Sequence, residues 1–191
     1  MIHIKSGYDA SKSSGSTPAA PRSRQVAAVG PKVALAEFIA LDLAAVHAFA
    51  SNPEVCRYSL WGPNTLAETE YFLADAMAAQ PGRVMKAVMV EEKVIGSAAI
   101  WQTDETHRVG ELGYTLNQDY WGQGFATEVA GLLIELGREE LGLHRIEATC
   151  DPKNAASIRV LGKCGFAQVE RRPIAIEPNS RRSESLVFAL G

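Results

Sequence analysis

The stretch QDYWGQGFATEVAGLLIEL, residues 118–136, places two glycines one residue apart directly before a helical pattern. The apolar residues after the glycines recur at the spacing of one helix face, namely Ala126, Val129, Ala130, Leu133 and Leu136. We therefore predict an amphipathic helix from about Phe125 to Leu141. The first N–H groups of a helix lack partners and carry partial positive charge, and glycines let an anion approach them closely. The stretch thus predicts an anion site with backbone donors at Gln123, Gly124, Ala126 and Thr127.

Two nucleotide-binding motifs share features with this stretch. A P-loop ends in Gly-Lys-Ser/Thr, and that motif is excluded because residues 118–136 contain no lysine. A dinucleotide fingerprint needs three glycines directly after a strand and an acidic residue about 20 positions further on. Gly122 and Gly124 fit, Thr127 stands at the third position, and Glu147 lies at a suitable distance. The residues NQDYW separate the strand from the first glycine, so a nicotinamide site is disfavoured but stays a rival hypothesis.

The rest of the chain alternates strand and helix patterns. Residues 1–30 are rich in Ser, Ala, Pro and Gly without hydrophobic periodicity, so we expect a flexible N-terminal extension and one domain over 31–191. The elements expected are strand 32–40, helix 41–52, helix 64–80, strands 83–90 and 93–101 joined by a turn at Glu91–Glu92, strand 109–117, the helix after the glycines, strand 144–151, helix 154–165, and strands 166–176 and 184–190. This order predicts an α/β domain with a mixed sheet and helices packed on it.

Two of these elements carry more detailed expectations. Helix 64–80 begins at Asn64 or Thr65 as its N-cap, and the side chains expected to face the core are Leu66, Tyr71, Phe72 and Met77. In strand 109–117, Leu112, Tyr114 and Leu116 alternate with Glu111, Gly113 and Thr115. A carboxylate between apolar strand residues costs free energy unless it is paired or used, which makes Glu111 a candidate functional residue and Glu147 a second one.

Composition narrows the function classes. The chain has 191 residues, is 47% hydrophobic, and carries a formal net charge of -3, which gives no sign of a nucleic-acid partner. Three cysteines and four histidines show no metal-ligand spacing, so we expect no metal site. No run approaches the roughly 20 apolar residues of a membrane span. Reduced thiols without a secretory signal indicate a cytoplasmic protein with no membrane partner.

Four sequence elements in a fixed order resemble the RimJ/RimL-type branch of the Gcn5-related N-acetyltransferase (GNAT) superfamily. YWGQGFATE matches the branch pattern W-G-x-G-[YF]-A-[ST]-E, although Trp121 departs from the Gln or Arg of the general superfamily pattern. SNPEVCRYSLW resembles the early D-P-E-V-x-R-Y element, and ELGYTL resembles the fourth strand of the family. NAASIRVLGKCGF resembles the element N-x-x-S-x-x-[LV]-x-[EK]-x-G-F, with Gly162 where glutamate is common. The resemblance covers about residues 32–190.

The resemblance implies a GNAT fold and an acetyl transfer. The expected fold is a central, mostly antiparallel twisted sheet of six to seven strands, with helices on both faces. A parallel pair of strands in its middle splays apart, and the fourth strand carries a bulge. The implied activity moves an acetyl group from acetyl-CoA to a primary amine, on a protein N-terminus or a small molecule, by direct attack in a ternary complex. The alternative is a catalytically silent acyl-CoA-binding or sensor domain on the same fold, and the expected state is a monomer or homodimer.

The resemblance also implies roles for individual residues. Strand residues Tyr114, Thr115 and Leu116 would pair with the pantetheine arm, and Asn154 would both cap its helix and contact the coenzyme. The pyrophosphate would lie against Trp121, Gly122, Gln123, Gly124, Phe125, Ala126 and Thr127. Glu111 is the first candidate for the general base, and Ser157 could donate a proton to the leaving thiolate. The acceptor site would be lined by Arg57, Tyr58 and Trp61.

Overall fold

The computed structural model describes residues 24–174 and 183–191. Its strands are β1 (Val26–Val29), β2 (Ala34–Ala36), β3 (Arg83–Val90), β4 (Lys93–Asp104), β5 (Val109–Leu116), β6 (Arg145–Cys150), β7 (Ala167–Pro173) and β8 (Glu184–Leu190). Its helices are α1 (Leu43–Ala50), α2 (Pro53–Cys56), α3 (Leu66–Met77), α4 (Phe125–Glu139) and α5 (Ala155–Lys163), with short 3-10 turns at Ala40–Asp42 and Gln118–Tyr120.

The strands form one 8-stranded sheet in the order β1-β2-β3-β4-β5-β6-β8-β7. Every neighbouring pair is antiparallel except β5 and β6, which run parallel in the middle of the sheet. The predicted mixed sheet with a central parallel pair is therefore confirmed. It has one strand more than the resemblance implied, and β8 inserts between β6 and β7.

The extra strand corrects the expectation for the start of the chain. Residues 24–30 fall within the predicted flexible extension, yet Val26–Val29 pairs antiparallel with β2. The segment is tied down by Arg24, whose guanidinium donates to Asp42 Oδ2 at 2.9 Å and to the carbonyl of Glu37 at 2.9 Å. In this edge strand Val26 and Val29 are exposed, and the two alanines between them are partly buried. The four residues therefore lack the alternation of apolar and polar side chains by which a strand is recognised in a sequence. The other residues of the expected extension, 1–23, lie outside the described residues.

Helices cover both faces of the sheet and create two cores. On one face α4 and α5 pack against strand side chains such as Ile100, Leu112 and Ile146. On the other face α1 and α3 pack against residues such as Met85, Ala87 and Ala99. The predicted apolar stripe of α4 is confirmed at Val129, Ala130, Leu133 and Leu136, all at most 4% exposed.

Helix α3 begins as predicted but faces the core differently. Thr65 caps it, accepting from the Glu68 N–H while the Glu68 carboxylate accepts from the Thr65 N–H. Its buried face consists of Thr69, Phe72, Leu73 and Ala76. The prediction was wrong for Leu66, Tyr71 and Met77, which are 51%, 54% and 42% exposed. The stripe at positions 69, 72, 73 and 76 follows the helical period, and it includes a polar threonine that a hydrophobic pattern passes over.

The hairpin and the fourth-strand bulge had different outcomes. Val90 pairs with Lys93 around the turn at residues 91–92, so the predicted hairpin is confirmed. The expectation of a bulge in β5 is wrong, because β5 stays in continuous register with β4 from Gly110 to Leu116. The irregularity in that ladder lies on the opposite strand, between Gln102 and Asp104 of β4.

Candidate active site

The central parallel pair opens into a cleft after a short ladder. β5 and β6 pair only from Val109 to Glu111 and from Arg145 to Glu147. Beyond Glu111 and Glu147 no ladder pair joins these two strands within the described ranges, and β6 instead continues its pairing with β8. Backbone groups of β5 that point away from β4 after residue 111 therefore lack a strand partner, which leaves a peptide edge exposed to a ligand.

A cleft that is open to solvent lies at this separation. Its lining combines strands β5 and β6, helix α5 and the loop at residues 58–61. Of the residues predicted for the site, those that line it are Tyr58, Trp61, Glu111, Tyr114, Thr115, Asn154 and Ser157. Residues far apart in sequence are thus brought together at one cleft.

The glycine turn at the start of α4 presents unpaired N–H groups. Gly122 and Gly124 have φ angles of 75° and 87°, a left-handed conformation that favours glycine. Within the described part of the chain, the backbone N–H groups of residues 122–126 have no hydrogen-bond partner. A Cβ added to either glycine would meet no described heavy atom within 4 Å. The turn is therefore an open nest of donors at the positive end of a 15-residue helix.

Two of the predicted coenzyme contacts, Thr127 and Trp121, already make hydrogen bonds within the protein. The Thr127 N–H donates to the carbonyl of Gly124 at 3.1 Å, so it is not one of the unpaired donors. The indole N–H of Trp121 donates to the carbonyl of Leu116 at 2.9 Å. This bond fastens the turn to the end of β5, which gives Trp121 a structural role that its sequence position did not reveal.

The glutamate of the WGQGFATE motif has a tethering role. Glu128 lies in the first turn of α4, where a carboxylate is favoured by the helix dipole. Its Oε1 accepts from the backbone N–H groups of Lys32 at 2.7 Å and Val33 at 2.9 Å. The carboxylate therefore joins the start of α4 to the β1–β2 connection.

Helix α5 positions two polar side chains at the cleft. Asn154 is its N-cap, and the side-chain oxygen accepts from the Ser157 N–H at 3.1 Å. The Ser157 hydroxyl in turn lies 3.1 Å from the hydroxyl of Tyr114 on β5. The predicted cap is thus present, and α5 and β5 are linked across the cleft by a pair of hydroxyl groups.

Burial makes the phenol of Tyr114 a weaker acid than an exposed tyrosine. Loss of solvation raises the pKa of Tyr114 to about 12, although the hydrogen bond with Ser157 opposes this change. The phenol therefore keeps its proton throughout the neutral range and is able to donate to the Ser157 hydroxyl. The side chain is more than the core aromatic that the strand pattern suggested.

A second polar group lies across the splay, on the other face of the sheet. Glu111 Oε1 accepts from the Thr149 hydroxyl at 2.8 Å, so that β5 and β6 remain connected where their ladder ends. Glu111 Oε2 has no hydrogen-bond partner among the residues that the structure describes. Glu147, directly opposite Glu111 in register, instead accepts from Arg145 Nε at 2.9 Å. Glu111 is therefore the better-placed proton acceptor of the two.

A cation lies near these carboxylates. The hydrogen bond with Glu170 raises the pKa of the Arg172 guanidinium, and the charges of Glu147 and Glu111 add to that rise. Arg172 is more than half exposed, so solvent screens its interaction with the cleft.

The loop after α2 forms the remaining wall. Tyr58 and Trp61, both predicted for the acceptor site, line the cleft, and the Trp61 indole nitrogen is buried without a hydrogen-bond partner in the described residues. Arg57 lies outside the lining: its guanidinium is 3.6 Å from Glu54 and 5.4 Å from the centre of the Tyr58 ring. The structure therefore groups two of the three predicted acceptor residues at the cleft.

Two further properties concern the described residues only. They include no group of three or more His, Cys, Asp or Glu side chains arranged to hold a metal ion. None of their helices is both long enough and apolar enough to cross a membrane.

The family model for the acetyltransferase (GNAT) domain matches residues 32–167. The chain belongs to the GNAT acetyltransferase family. A relative from Bacillus licheniformis, the uncharacterized N-acetyltransferase p20, is 33% identical over 121 residues, covering 61% of this chain and 68% of that protein. The predicted acetyl-CoA-dependent N-acetyltransferase is thereby confirmed as the enzyme class, and the rival nicotinamide reading is set aside.

Solved structures of this GNAT fold superpose closely on the chain. An acetyltransferase of the GNAT family from Bacillus anthracis has a TM-score of 0.75 and 27% identity, covering 83% of this chain and 94% of that one. The structure of RimL, a ribosomal L7/L12 alpha-N-protein acetyltransferase, has a TM-score of 0.76 and covers 92% of this chain and 99% of that one. Its identity is 16%, so this likeness shows the fold alone.

Proposed function

We propose that this GNAT protein transfers an acetyl group from acetyl-CoA to a primary amine by direct attack in a ternary complex. The observation that carries the proposal is the combination of three features in one domain: a nest of unpaired N–H groups at α4, an unpaired strand edge on β5, and a cleft lined by Glu111 and Ser157. The nest suits a pyrophosphate, the edge suits a peptide-like arm, and the cleft joins both to an acceptor.

The protein groups fit coenzyme A as follows. The N–H groups of residues 122–126 would hold the pyrophosphate, and the open space beside Gly122 and Gly124 leaves room for it. Backbone groups of β5 near Tyr114 and Thr115 would pair with the pantetheine arm. The bound acetyl-CoA supplies an activated thioester. An N–H of β5 would hold the thioester carbonyl and the oxyanion that develops on it, an interaction often worth about 3–4 kcal/mol.

Glu111 is proposed as the proton acceptor. Alkylamines have a pKa near 10 and must lose a proton before they attack, since the ammonium form has no lone pair. Glu111 Oε2 is available for that proton, directly or through water, while the Thr149 hydroxyl holds Oε1. The nitrogen lone pair then forms the new C–N bond and the C–S bond breaks, with the electron pair leaving on sulfur.

Ser157 is proposed as the group that stabilises the departing thiolate. In this arrangement the neutral Tyr114 hydroxyl would donate to Ser157 Oγ, and the serine proton would then point toward sulfur. Asn154 holds the first turn of α5 in place through its bond from the Ser157 N–H. No covalent acyl-enzyme is needed, so the cysteines near the cleft have no assigned step.

Release of free CoA tests this proposal. The protein is mixed with acetyl-CoA and, separately, with peptides bearing free N-termini, with polyamines and with aminoglycosides, and the thiol product is followed with a chromogenic reagent. The expected result is amine-dependent thiol release, with the acetylated amine identified by mass spectrometry. Tight binding of acetyl-CoA in calorimetry without turnover on any amine would instead favour the silent acyl-CoA-binding domain.

A further inference from the structure

A buried carboxylate that the proposed mechanism does not use lies in the active-site cleft. Asp151 directly follows β6 and is only 6% exposed, yet it is one of the residues that line the cleft. Its Oδ1 accepts from the backbone N–H of Lys153 at 2.7 Å, whereas its Oδ2 has no hydrogen-bond or ion-pair partner among the described residues. A buried carboxylate costs free energy unless its charge is compensated, so Oδ2 is suited to a bound cation.

Strand geometry puts Asp151 on the sheet face that carries the proposed base. Glu111 and Glu147 lie opposite each other in the parallel ladder. Alternation along β6 then places Thr149 and Asp151 on the face of Glu147. The hydrogen bond from the Thr149 hydroxyl to Glu111 agrees with this placement. Neighbouring residues on one face of a strand are about 7 Å apart, so Asp151 follows the Glu111–Thr149 contact by one such step.

The charged side chains in the described lining of the cleft are all negative. They are Glu111 and Asp151, and the described lining includes no lysine, arginine or histidine. The cation described above, Arg172, forms an ion pair with Glu170 at 2.8 Å and lies outside this lining. A cleft with two carboxylates and no basic side chain in its described walls favours a positively charged ligand over a neutral one.

A single ammonium group does not compensate both carboxylates during the reaction. The reacting amine gives up its proton at Glu111 and is neutral when it attacks, so it leaves the charge of Asp151 without a counter-charge. A second positive charge, separated from the reacting nitrogen by a short chain, would stay beside Asp151 throughout the reaction. The two carboxylates therefore have different partners in the same acceptor molecule.

We propose that Asp151 determines acceptor specificity by binding a second cationic group, a few bonds away from the amine that is acetylated. This proposal rests on the proposed function. Two sources share this chemistry: a small diamine, whose second nitrogen is an ammonium ion, and a peptide N-terminus that is followed by a basic side chain. A monoamine of the same chain length lacks the second charge and is the poorer acceptor.

The experiment measures kcat/KM for matched pairs of acceptors. Putrescine is compared with butylamine, cadaverine with pentylamine, and a peptide beginning with alanine and lysine with one beginning with alanine and norleucine. The test variant is Asp151→Asn, since the asparagine oxygen can still accept from the Lys153 N–H and so preserves the turn. The control is Glu147→Gln, which removes the same charge from the same face of β6 at a residue that does not line the cleft.

The expected result is a change in ratios. The wild-type protein prefers the doubly charged member of a pair, and Asp151→Asn lowers that preference about tenfold, as expected for the loss of one hydrogen bond to a charged group. Glu147→Gln leaves the preference at its wild-type value. A fall confined to the amine pairs identifies a small diamine as the source, and a fall confined to the peptide pair identifies a basic peptide. Thermal unfolding and the Kd for CoA are measured for each variant, so that loss of folding or of coenzyme binding is recognised separately.

Three outcomes overturn the role of Asp151. One is a wild-type protein that acetylates both members of every pair equally well. Another is a loss in Asp151→Asn that is equal for both members of each pair, which leaves the carboxylate a structural role only. The third is an equal change of preference in Asp151→Asn and Glu147→Gln, which assigns the preference to the overall negative field. Absence of turnover by the wild-type protein with every amine defeats the proposed function itself, which separates the two failures.

Discussion

Replacing Gly124 with alanine tests the anion nest most directly. Gly124 has a φ of 87°, and a left-handed conformation costs an L-residue about 1–2 kcal/mol. For a domain of this size each kcal/mol lowers Tm by about 2–4 °C, so Gly124→Ala is expected to lower Tm by about 2–8 °C. This loss reflects the backbone alone and says nothing about ligand binding.

The effect on coenzyme binding is expected to be larger. The new methyl group enters space in which no described atom lies within 4 Å, next to the unpaired N–H groups of residues 122–126. Losing one hydrogen bond to a charged group costs about 1.5–3 kcal/mol. At about 1.4 kcal/mol per tenfold, the Kd for CoA rises about 10- to 150-fold. Isothermal titration calorimetry with CoA measures this constant without requiring an acceptor.

Gly165→Ala is the matched control. Gly165 follows α5 with a φ of 85°, and its added Cβ would make only an ordinary contact, 3.6 Å from Leu190 Cδ1. The same backbone strain therefore arises away from the nest. We expect a similar fall in Tm with the Kd for CoA at its wild-type value. Equal Kd values for Gly124→Ala and Gly165→Ala would refute the assignment of the nest to the pyrophosphate.

Three other predictions concern single side chains. Glu111→Gln should lower kcat about 10²- to 10⁴-fold at neutral pH and recover partly at alkaline pH, where amines lose their proton unaided; a wild-type pH–rate profile would remove Glu111 as the base. Because the pKa of Tyr114 is raised to about 12 from about 10, the folded protein retains a proton that the unfolded chain loses between these values, so stability falls as pH rises through that window. Urea unfolding at pH 9 to 11 should therefore show a steeper loss for wild type than for Tyr114→Phe, and parallel losses would contradict the burial of this phenol. Glu128→Ala should lower the free energy of unfolding by about 1–3 kcal/mol, against a change within about 0.5 kcal/mol for the exposed Glu135→Ala on the same helix; equal effects would show that the tether to Lys32 and Val33 contributes nothing.

The elements that the sequence determined are those with local causes. The left-handed glycines and the apolar stripe after them specify the start of α4, because both act within a few residues. The turn at residues 91–92 specifies a hairpin, and Thr65 with Glu68 specifies the start of α3. The amide of Asn154 likewise specifies the start of α5.

Other features follow from contacts between residues far apart in the chain. No local pattern reveals that β8 lies between β6 and β7, or that Val26–Val29 adds an edge strand, because strand neighbours are chosen by packing and by ladder hydrogen bonds. The inward face of α3 was missed for a similar reason: Thr69 is buried because its hydroxyl donates to the Thr65 carbonyl and lies 2.9 Å from His47 Nδ1.

The candidate site divides in the same way. The sequence by itself determined a nest of backbone donors at the start of α4 and marked Glu111 as a carboxylate on an apolar strand. Only the tertiary structure joined Tyr114 to Ser157, held Glu111 through Thr149, and used Trp121 to fasten the turn to β5. The physical reason is distance along the chain: a helix terminus is formed by neighbouring residues, whereas a cleft between splayed strands exists only after the whole sheet has assembled.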